Sequence, residues 1–197
     1  MALKQSVSLA EVEAILSHIP DPEIPVISIR ELGILRDVRL DAETDAQGDA
    51  SVDVTVNITI TPTYGGCPAM DQIRDDIVSA LAQAGLTARV STRLAPPWTT
   101  DWISPEGREK LRAYGIAPPH AAARPQPGVI RFAPKNIATH AYSTRAKTQN
   151  DPGNEAVCCP RCNSVNTTET SHFGSTACKA LYRCLDCTEP FDYFKPY

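Results

Sequence analysis

Two C-x2-C pairs near the end of the chain constrain its fold more than any other feature. Cys159 and Cys162 form the first pair, Cys184 and Cys187 form the second, and 21 residues separate the pairs. Each pair can hold one side of a tetrahedral metal ion, which is the pattern of a zinc ribbon. The surrounding segment has too few apolar residues to fold well without metal. We therefore predict a small β domain over residues 157–197 that contains one structural zinc.

The spacing of these cysteines leaves some alternatives open. A quartet of this kind can also bind iron or an iron–sulfur cluster. Cys158 and Cys178 are further candidate ligands: Cys158 adjoins Cys159 and could replace it, whereas Cys178 matches neither pair and is more typical of a packed residue. Residues 191–197 contain four aromatics. We expect them to form a strand that closes over the ribbon, with an exposed anchor for a partner as the alternative.

A second informative feature is the junction around Cys67. Apolar and polar residues alternate from Val52 to Ile60, which predicts a strand with one buried face. From Met70 to Ala84 apolar residues recur every three or four positions, which predicts an amphipathic helix. Cys67 then lies at the helix N-terminus after a Gly-Gly turn. Free N–H groups there favour a thiolate with a lowered pKa, so Cys67 is either a reactive, metal-handling residue or a small buried cap residue.

The segments around this junction predict a small α/β domain. Residues 8–11 fit a capping box, and the helix behind them should end near Pro20. Further strands are predicted at 34–40 and 86–94, so the element order is α-β-β-α-β with a helical crossover before the last strand. The fold class is therefore α+β: a mixed-sheet domain over residues 1–95, a linker, and a small zinc-ribbon domain.

Residues 96–156 have a different composition. They are rich in proline and poor in large apolar residues, so we predict a connecting segment with little regular structure. A short helix is expected near 104–114. The segment should wrap over the first domain or over a partner, and residues 129–132 are either a short strand or a docking segment.

Charge and hydropathy exclude several classes of protein. The net charge of -4 argues against a large nucleic-acid surface, which needs clustered Lys and Arg. No apolar run approaches the ~20 residues of a membrane span. The first ten residues also lack a signal-peptide core. Six crowded cysteines favour metal ligation in a reducing compartment over disulfides. We expect a cytoplasmic protein that binds neither nucleic acid nor membrane.

Several N-terminal motifs resemble the MIP18-like (DUF59) family of iron–sulfur cluster assembly. The resemblance covers about residues 8–95 and rests on Asp21-Pro22-Glu23-Ile24-Pro25-Val26, on Glu31-Leu32-Gly33-Ile34, and on Thr61 with Cys67-Pro68. It implies that Cys67, Asp21 and Glu23 are the candidates for iron or cluster transfer. From the residues alone, Asp21 could equally be a turn cap.

The whole chain resembles a more specific family, the D component (also called J) of the bacterial phenylacetyl-CoA epoxidase system. The matching motifs are residues 94–102, Cys159-Pro160-Arg161-Cys162, residues 173–184 and residues 189–195. The family belongs to aerobic phenylacetate degradation, in which a diiron oxygenase epoxidises the ring and an iron–sulfur flavin reductase supplies electrons. The resemblance implies that these oxygenase and reductase components are the partners.

These observations lead to one main hypothesis and two alternatives. The main hypothesis is an accessory protein that matures the metal or iron–sulfur centres of the epoxidase system, with structural zinc and a transient iron ion or cluster at Cys67. The first alternative is a structural or electron-relay subunit of the oxygenase with a redox iron site in the ribbon. The second is a nucleic-acid-binding regulator, which the acidic charge disfavours. The sequence has no paired Glu-x-x-His helices and no nucleotide-binding glycine motif, so we expect no catalytic activity of its own.

Overall fold

The computed structural model describes residues 7–43, 53–119 and 156–196. The first part of the chain forms one three-stranded sheet in the order β1-β2-β3 with two helices. β1 and β2 are antiparallel, whereas β2 and β3 are parallel, because α2 carries the chain across the sheet between them. This α-β-β-α-β order and the mixed α+β class confirm the prediction. The elements are α1 (Leu9–Ser17), β1 (Leu35–Glu43), β2 (Asp53–Ile60), α2 (Ala69–Gln83) and β3 (Thr87–Thr92).

The core of this part follows from the sequence periodicity. α1 begins with the predicted capping box, in which the N–H of Glu11 donates to the Ser8 hydroxyl at 3.2 Å and the N–H of Ser8 donates to the Glu11 carboxylate at 2.8 Å. The helices and the central strand bury their apolar stripes against each other. The fully buried members are Val12, Leu16, Val56, Ile58, Ile60, Ile73, Ile77 and Leu81.

Residues 96–119 pack onto this core. Trp98 is buried, and its indole N–H donates to the carbonyl of Leu32 at 3.0 Å. A 3-10 turn, Thr100–Trp102, and α3, Pro105–Tyr114, follow it. α3 begins at Ser104, whose hydroxyl accepts from the N–H of Gly107 at 2.9 Å. The sequence places a short helix at this position too. The predicted domain boundaries stay a prediction, and residues 129–132 lie outside the described residues.

The last part of the chain forms a second sheet in the order β4-β7-β6-β5. β5, β6 and β7 are antiparallel neighbours, as in a ribbon, and β7 confirms that the aromatic ending is a strand. β4 comes from the segment after α3 and pairs in parallel with β7. The strands are β4 (Ile116–Ala117), β5 (Thr167–Ser171), β6 (Lys179–Cys184) and β7 (Pro190–Phe194).

β4 and β7 lie between two cores. Ile116 and Phe194 belong to the large core of the first sheet, whereas Ala117 and Tyr193 belong to the small core around the ribbon cysteines. This division follows from the strand geometry, because successive side chains point to opposite faces. The Phe194 ring lies 5.8 Å from the ring of Trp98. The ribbon therefore shares a hydrophobic core with the first part of the chain.

We predict that Gly33→Ala destabilises the protein much more than Gly85→Ala. Both glycines have a positive φ, +76° and +75°, so alanine at either position should cost about 1–2 kcal/mol of backbone strain. A Cβ on Gly33 would lie 2.6 Å from the Cβ of Trp102, whereas one on Gly85 meets nothing within 4 Å. The clash at Gly33 should add about 1–3 kcal/mol. Denaturant unfolding of the zinc-loaded chain measures both losses, and equal losses would contradict this packing.

Candidate functional site

The four predicted zinc ligands come together in the structure. The sulfur atoms of Cys159, Cys162, Cys184 and Cys187 all lie within 4.8 Å of one another. The Cys159–Cys187 sulfur distance is 3.7 Å and the Cys162–Cys184 distance is 3.5 Å. A tetrahedral ion with Zn–S bonds of ~2.3 Å requires sulfur–sulfur distances of about 3.8 Å. The donor set therefore fits a zinc ion, as the sequence spacing predicts.

The backbone explains why each pair can hold two thiols on one ion. The N–H of Asn163 returns to the carbonyl of Cys159 at 3.0 Å, and the N–H of Cys187 points to the sulfur of Cys184 at 3.5 Å. In both pairs the residue after the second cysteine has a positive φ, 60° for Asn163 and 64° for Thr188. Both C-x2-C segments thus turn tightly around the same point, and the short side chains on the turns leave room for a metal.

The two remaining cysteines of this region lie outside the zinc site. The structure places neither Cys158 nor Cys178 in the four-thiol group. Cys158 is partly exposed, and its sulfur lies 4.0 Å from the carbonyl of Ala156. Cys178 is buried in the large core that the ribbon shares with the first sheet. Its position leads to a different group of residues.

Cys67 has the predicted position in the chain. It directly precedes Pro68, the N-cap of α2, and the N–H of Ala69 donates to its sulfur. It follows Gly66, which has φ +93° and open space where a Cβ would be. The side chain of Cys67 is half-buried and packs at the edge of the large core. The turn therefore places the thiol at the helix N-terminus.

Asp21 and Glu23 lie beside this thiol, on the loop after α1. Asp21 is buried, and its Oδ1 accepts from the N–H groups of Glu23 at 3.0 Å and Ile24 at 2.8 Å. Asp21 thus caps its own turn. Burial raises the pKa of the Asp21 carboxyl, although these N–H groups oppose the shift. Burial also raises the pKa of Glu23, and the charge of Asp21 adds to the effect. The turn holds two carboxylates at the edge of the core.

The predicted lowering of the Cys67 pKa is wrong. Burial raises the pKa of the Cys67 thiol, and the N–H of Ala69 only partly offsets it. The charges of Glu23 and Asp21 raise it further. The prediction considered the helix N-terminus alone, whereas the fold adds burial and two carboxylates. Cys67 without a bound metal is therefore a protonated thiol near neutral pH.

Cys178 is the residue of this group that sequence reasoning missed. Its thiol points to Oε2 of Glu23 at 3.8 Å and lies 3.0 Å from the hydroxyl of Thr176. Burial raises the pKa of Cys178 to about 11. Tyr64 lies close to both thiols: burial raises its pKa to about 12, and the charges of Cys67, Glu23 and Cys178 add to that shift. No local motif could predict this contact, because 155 residues separate the two partners.

The comparisons with known proteins agree with this arrangement. The family model of the PaaD zinc beta ribbon domain matches residues 143–195, and the model of the iron-sulfur cluster assembly protein family matches residues 9–92. A protein of Escherichia coli K12 is 44% identical over 186 residues, which cover 94% of this chain and 91% of the relative. It is provisionally named as the D component of 1,2-phenylacetyl-CoA epoxidase. This chain belongs to the same family. The PaaD-type ribbon and the cluster-assembly domain are therefore two parts of one family architecture.

Solved structures resemble the first part of the chain. A DUF59 domain from Bacillus anthracis is 28% identical and covers 52% of this chain and 89% of its own, with a TM-score of 0.43. A conserved hypothetical protein from Thermotoga maritima is 26% identical and covers 55% of this chain and 98% of its own, with a TM-score of 0.40. At these TM-scores the overlaps add no argument to the family models. Among the described residues, no helix combines the length and the apolar character that a membrane crossing requires.

We predict that Cys67 reacts with iodoacetamide as a thiol of raised pKa. The rate should rise with pH around a midpoint above the ~8.5 of a free cysteine, because burial and the two carboxylates disfavour the thiolate. Glu23→Gln removes one negative charge and should move the midpoint to lower pH. Peptide mapping by mass spectrometry follows Cys67 separately, and exposed Cys158 serves as the internal reference. A midpoint below that of Cys158 would contradict this electrostatic account.

Proposed function

We propose that this chain is an accessory protein that matures the metal or iron–sulfur centres of a phenylacetyl-CoA epoxidase system. The iron ion or cluster is its cargo, and Cys67 is the transient ligand. The observation that carries the proposal is a half-buried thiol at a helix N-terminus beside Glu23, within the segment that matches the cluster-assembly family model. The full-length relative, named as an epoxidase component, supports the pathway. The proposed partners are the oxygenase and reductase components.

The chemistry of the Cys67 site suits transient binding. A thiolate and a carboxylate are ligands for iron, one soft and one hard. The Cys67 thiol must lose its proton when a metal binds, so protons compete with the metal and help its release. Asp21 is already occupied by the N–H groups of its turn, so its role is to position Glu23 and to add negative charge. A site with few ligands can pass its cargo to a partner.

The ribbon metal has a different role in this proposal. Four thiolates fill a tetrahedral zinc site and leave no open position, which is typical of a structural ion. The ligands Cys159 and Cys184 are buried in the small core. The zinc therefore stabilises the ribbon, and no step of the transfer uses it.

The relative's name also supports a second candidate function, a structural or electron-relay subunit of the oxygenase. In that function the chain would remain bound to the oxygenase, and the ribbon would hold a redox-active iron. Purified protein would then be coloured, whereas a zinc ribbon is colourless. Elemental analysis of protein purified without oxygen distinguishes the two metals.

A co-production experiment tests the maturation role. The oxygenase and reductase are produced with the wild-type chain, with Cys67→Ala, or with Cys158→Ala as a matched cysteine control. We expect Cys67→Ala to lower the iron content of a partner and the rate of ring epoxidation. It should change the free energy of unfolding of this chain by no more than ~1 kcal/mol, because the thiol is half-buried. Cys158→Ala should behave as wild type.

Two outcomes would reject the maturation role. Full iron content and full epoxidation with Cys67→Ala would exclude Cys67 as the transfer ligand. Normal iron content with lost epoxidation would favour the subunit or electron-relay function instead.

A further inference from the structure

We propose that Cys178 is a second thiol ligand of the cargo site, so that the zinc ribbon supplies part of the site built around Cys67. The complete ligand set is Cys67, Cys178 and Glu23, and its cargo class is a thiophilic transition-metal ion such as Fe²⁺. This inference rests on the proposed function and deepens it, because it names the ligands and makes the site a product of two domains.

The position of Glu23 is the first argument. Its Oε2 lies 3.8 Å from the sulfur of Cys178, and its charge also acts on the thiol of Cys67. The hydroxyl of Tyr64 hydrogen-bonds the sulfur of Cys67, and Tyr64 lies within electrostatic reach of Cys178 as well. One carboxylate and one tyrosine thus face both thiols, one of which comes from each domain.

The surroundings of Cys178 are the second argument. A cysteine that only fills a core has apolar neighbours. Cys178 is 4% exposed, yet its sulfur faces a carboxylate and a hydroxyl, Glu23 and Thr176. The backbone fixes this orientation, since the carbonyl of Cys178 accepts from the N–H of Lys195 at 2.9 Å. Burying an uncompensated carboxylate beside a thiol has a cost that a bound cation would remove.

The local charge is the third argument. Asp21 and Glu23 bring two negative charges to the site, and Lys179 is the nearby cation that acts on both of them. The Nζ of Lys179 is itself paired with Asp192 at 3.1 Å, and its side chain is only 7% exposed. Part of the carboxylate charge therefore stays uncompensated, and a divalent cation is the ligand that this charge favours.

The site is loose before the ion binds. Among the described residues, only the four ribbon thiols lie mutually within 4.8 Å. The donor atoms of Cys67, Cys178 and Glu23 must therefore move closer together as the ion binds. Each of the two thiols releases its proton to solvent, two S–metal bonds form, and the oxidation state of the ion does not change. Release of the ion restores both protons.

Cobalt titration of the zinc-loaded full chain tests this inference. Co²⁺ stands in for Fe²⁺ because the near-ultraviolet absorption of a cobalt–thiolate bond grows with the number of thiolates on the ion. The wild-type chain should bind one Co²⁺ beyond its zinc. Cys67→Ala and Cys178→Ala should each retain about half the absorption of that ion and bind it at least about tenfold more weakly. Cys158→Ala is the matched control, and it should titrate as wild type with unchanged zinc content.

The wild-type chain provides a second measurement that needs no variant. A sample with cobalt in place of zinc in the ribbon has four thiolates on one ion and calibrates the absorption per thiolate. The additional ion should then show about half of that absorption, which corresponds to two thiolates. This measurement decides the question if Cys178→Ala loses zinc and unfolds the ribbon.

The outcomes separate this inference from the proposed function. A signal of one thiolate in the wild type, or a full signal in Cys178→Ala with loss in Cys67→Ala, would overturn the role of Cys178 and leave Cys67 as the transfer ligand. An unchanged signal in Cys67→Ala, or no additional ion in the wild type, would overturn both.

Discussion

The contact between the ribbon and the large core is the interaction on which the rest of this structure depends. Phe194 of β7 and Cys178 before β6 are buried in the core of the first sheet, and the Phe194 ring lies 5.8 Å from the ring of Trp98. Trp98 in turn is held by its hydrogen bond to Leu32. Parallel pairing of β4 with β7 adds a backbone connection at the same boundary. These contacts bring the turn that carries Cys178 against the loop that carries Glu23.

This contact connects a structural metal site to a site for cargo. The ribbon has a small core of its own, so zinc supplies much of its folding free energy, on the order of ~10–16 kcal/mol in isolated zinc-binding peptides. The thiols of the zinc site face the small core, whereas Cys178 faces the large one. Zinc is therefore not a ligand-sharing neighbour of the cargo site. It stabilises the strands that place Cys178 beside Glu23.

The residue pattern predicts the local elements well and the long-range contacts poorly. Alternation at 52–60 and the helical stripe after Cys67 give β2 and α2 directly, since each element buries one face. The two C-x2-C pairs give the four-thiol group. β4 could not be predicted, because two residues are too short to show a period. The Cys67 pKa prediction failed for a related reason: local sequence contains the helix N-terminus but neither the burial nor the approach of Asp21 and Glu23.

Hydrogen exchange of the full chain with and without zinc tests most directly whether the ribbon builds the cargo site. In the loop after α1, the N–H of Asp21 donates to Ile27 at 2.9 Å and the N–H of Ile29 donates to Ile19 at 3.0 Å. The account predicts that zinc removal accelerates exchange at these amides as well as in residues 157–196, while the β1–β2 amides stay protected. Faster exchange confined to residues 157–196 would contradict it.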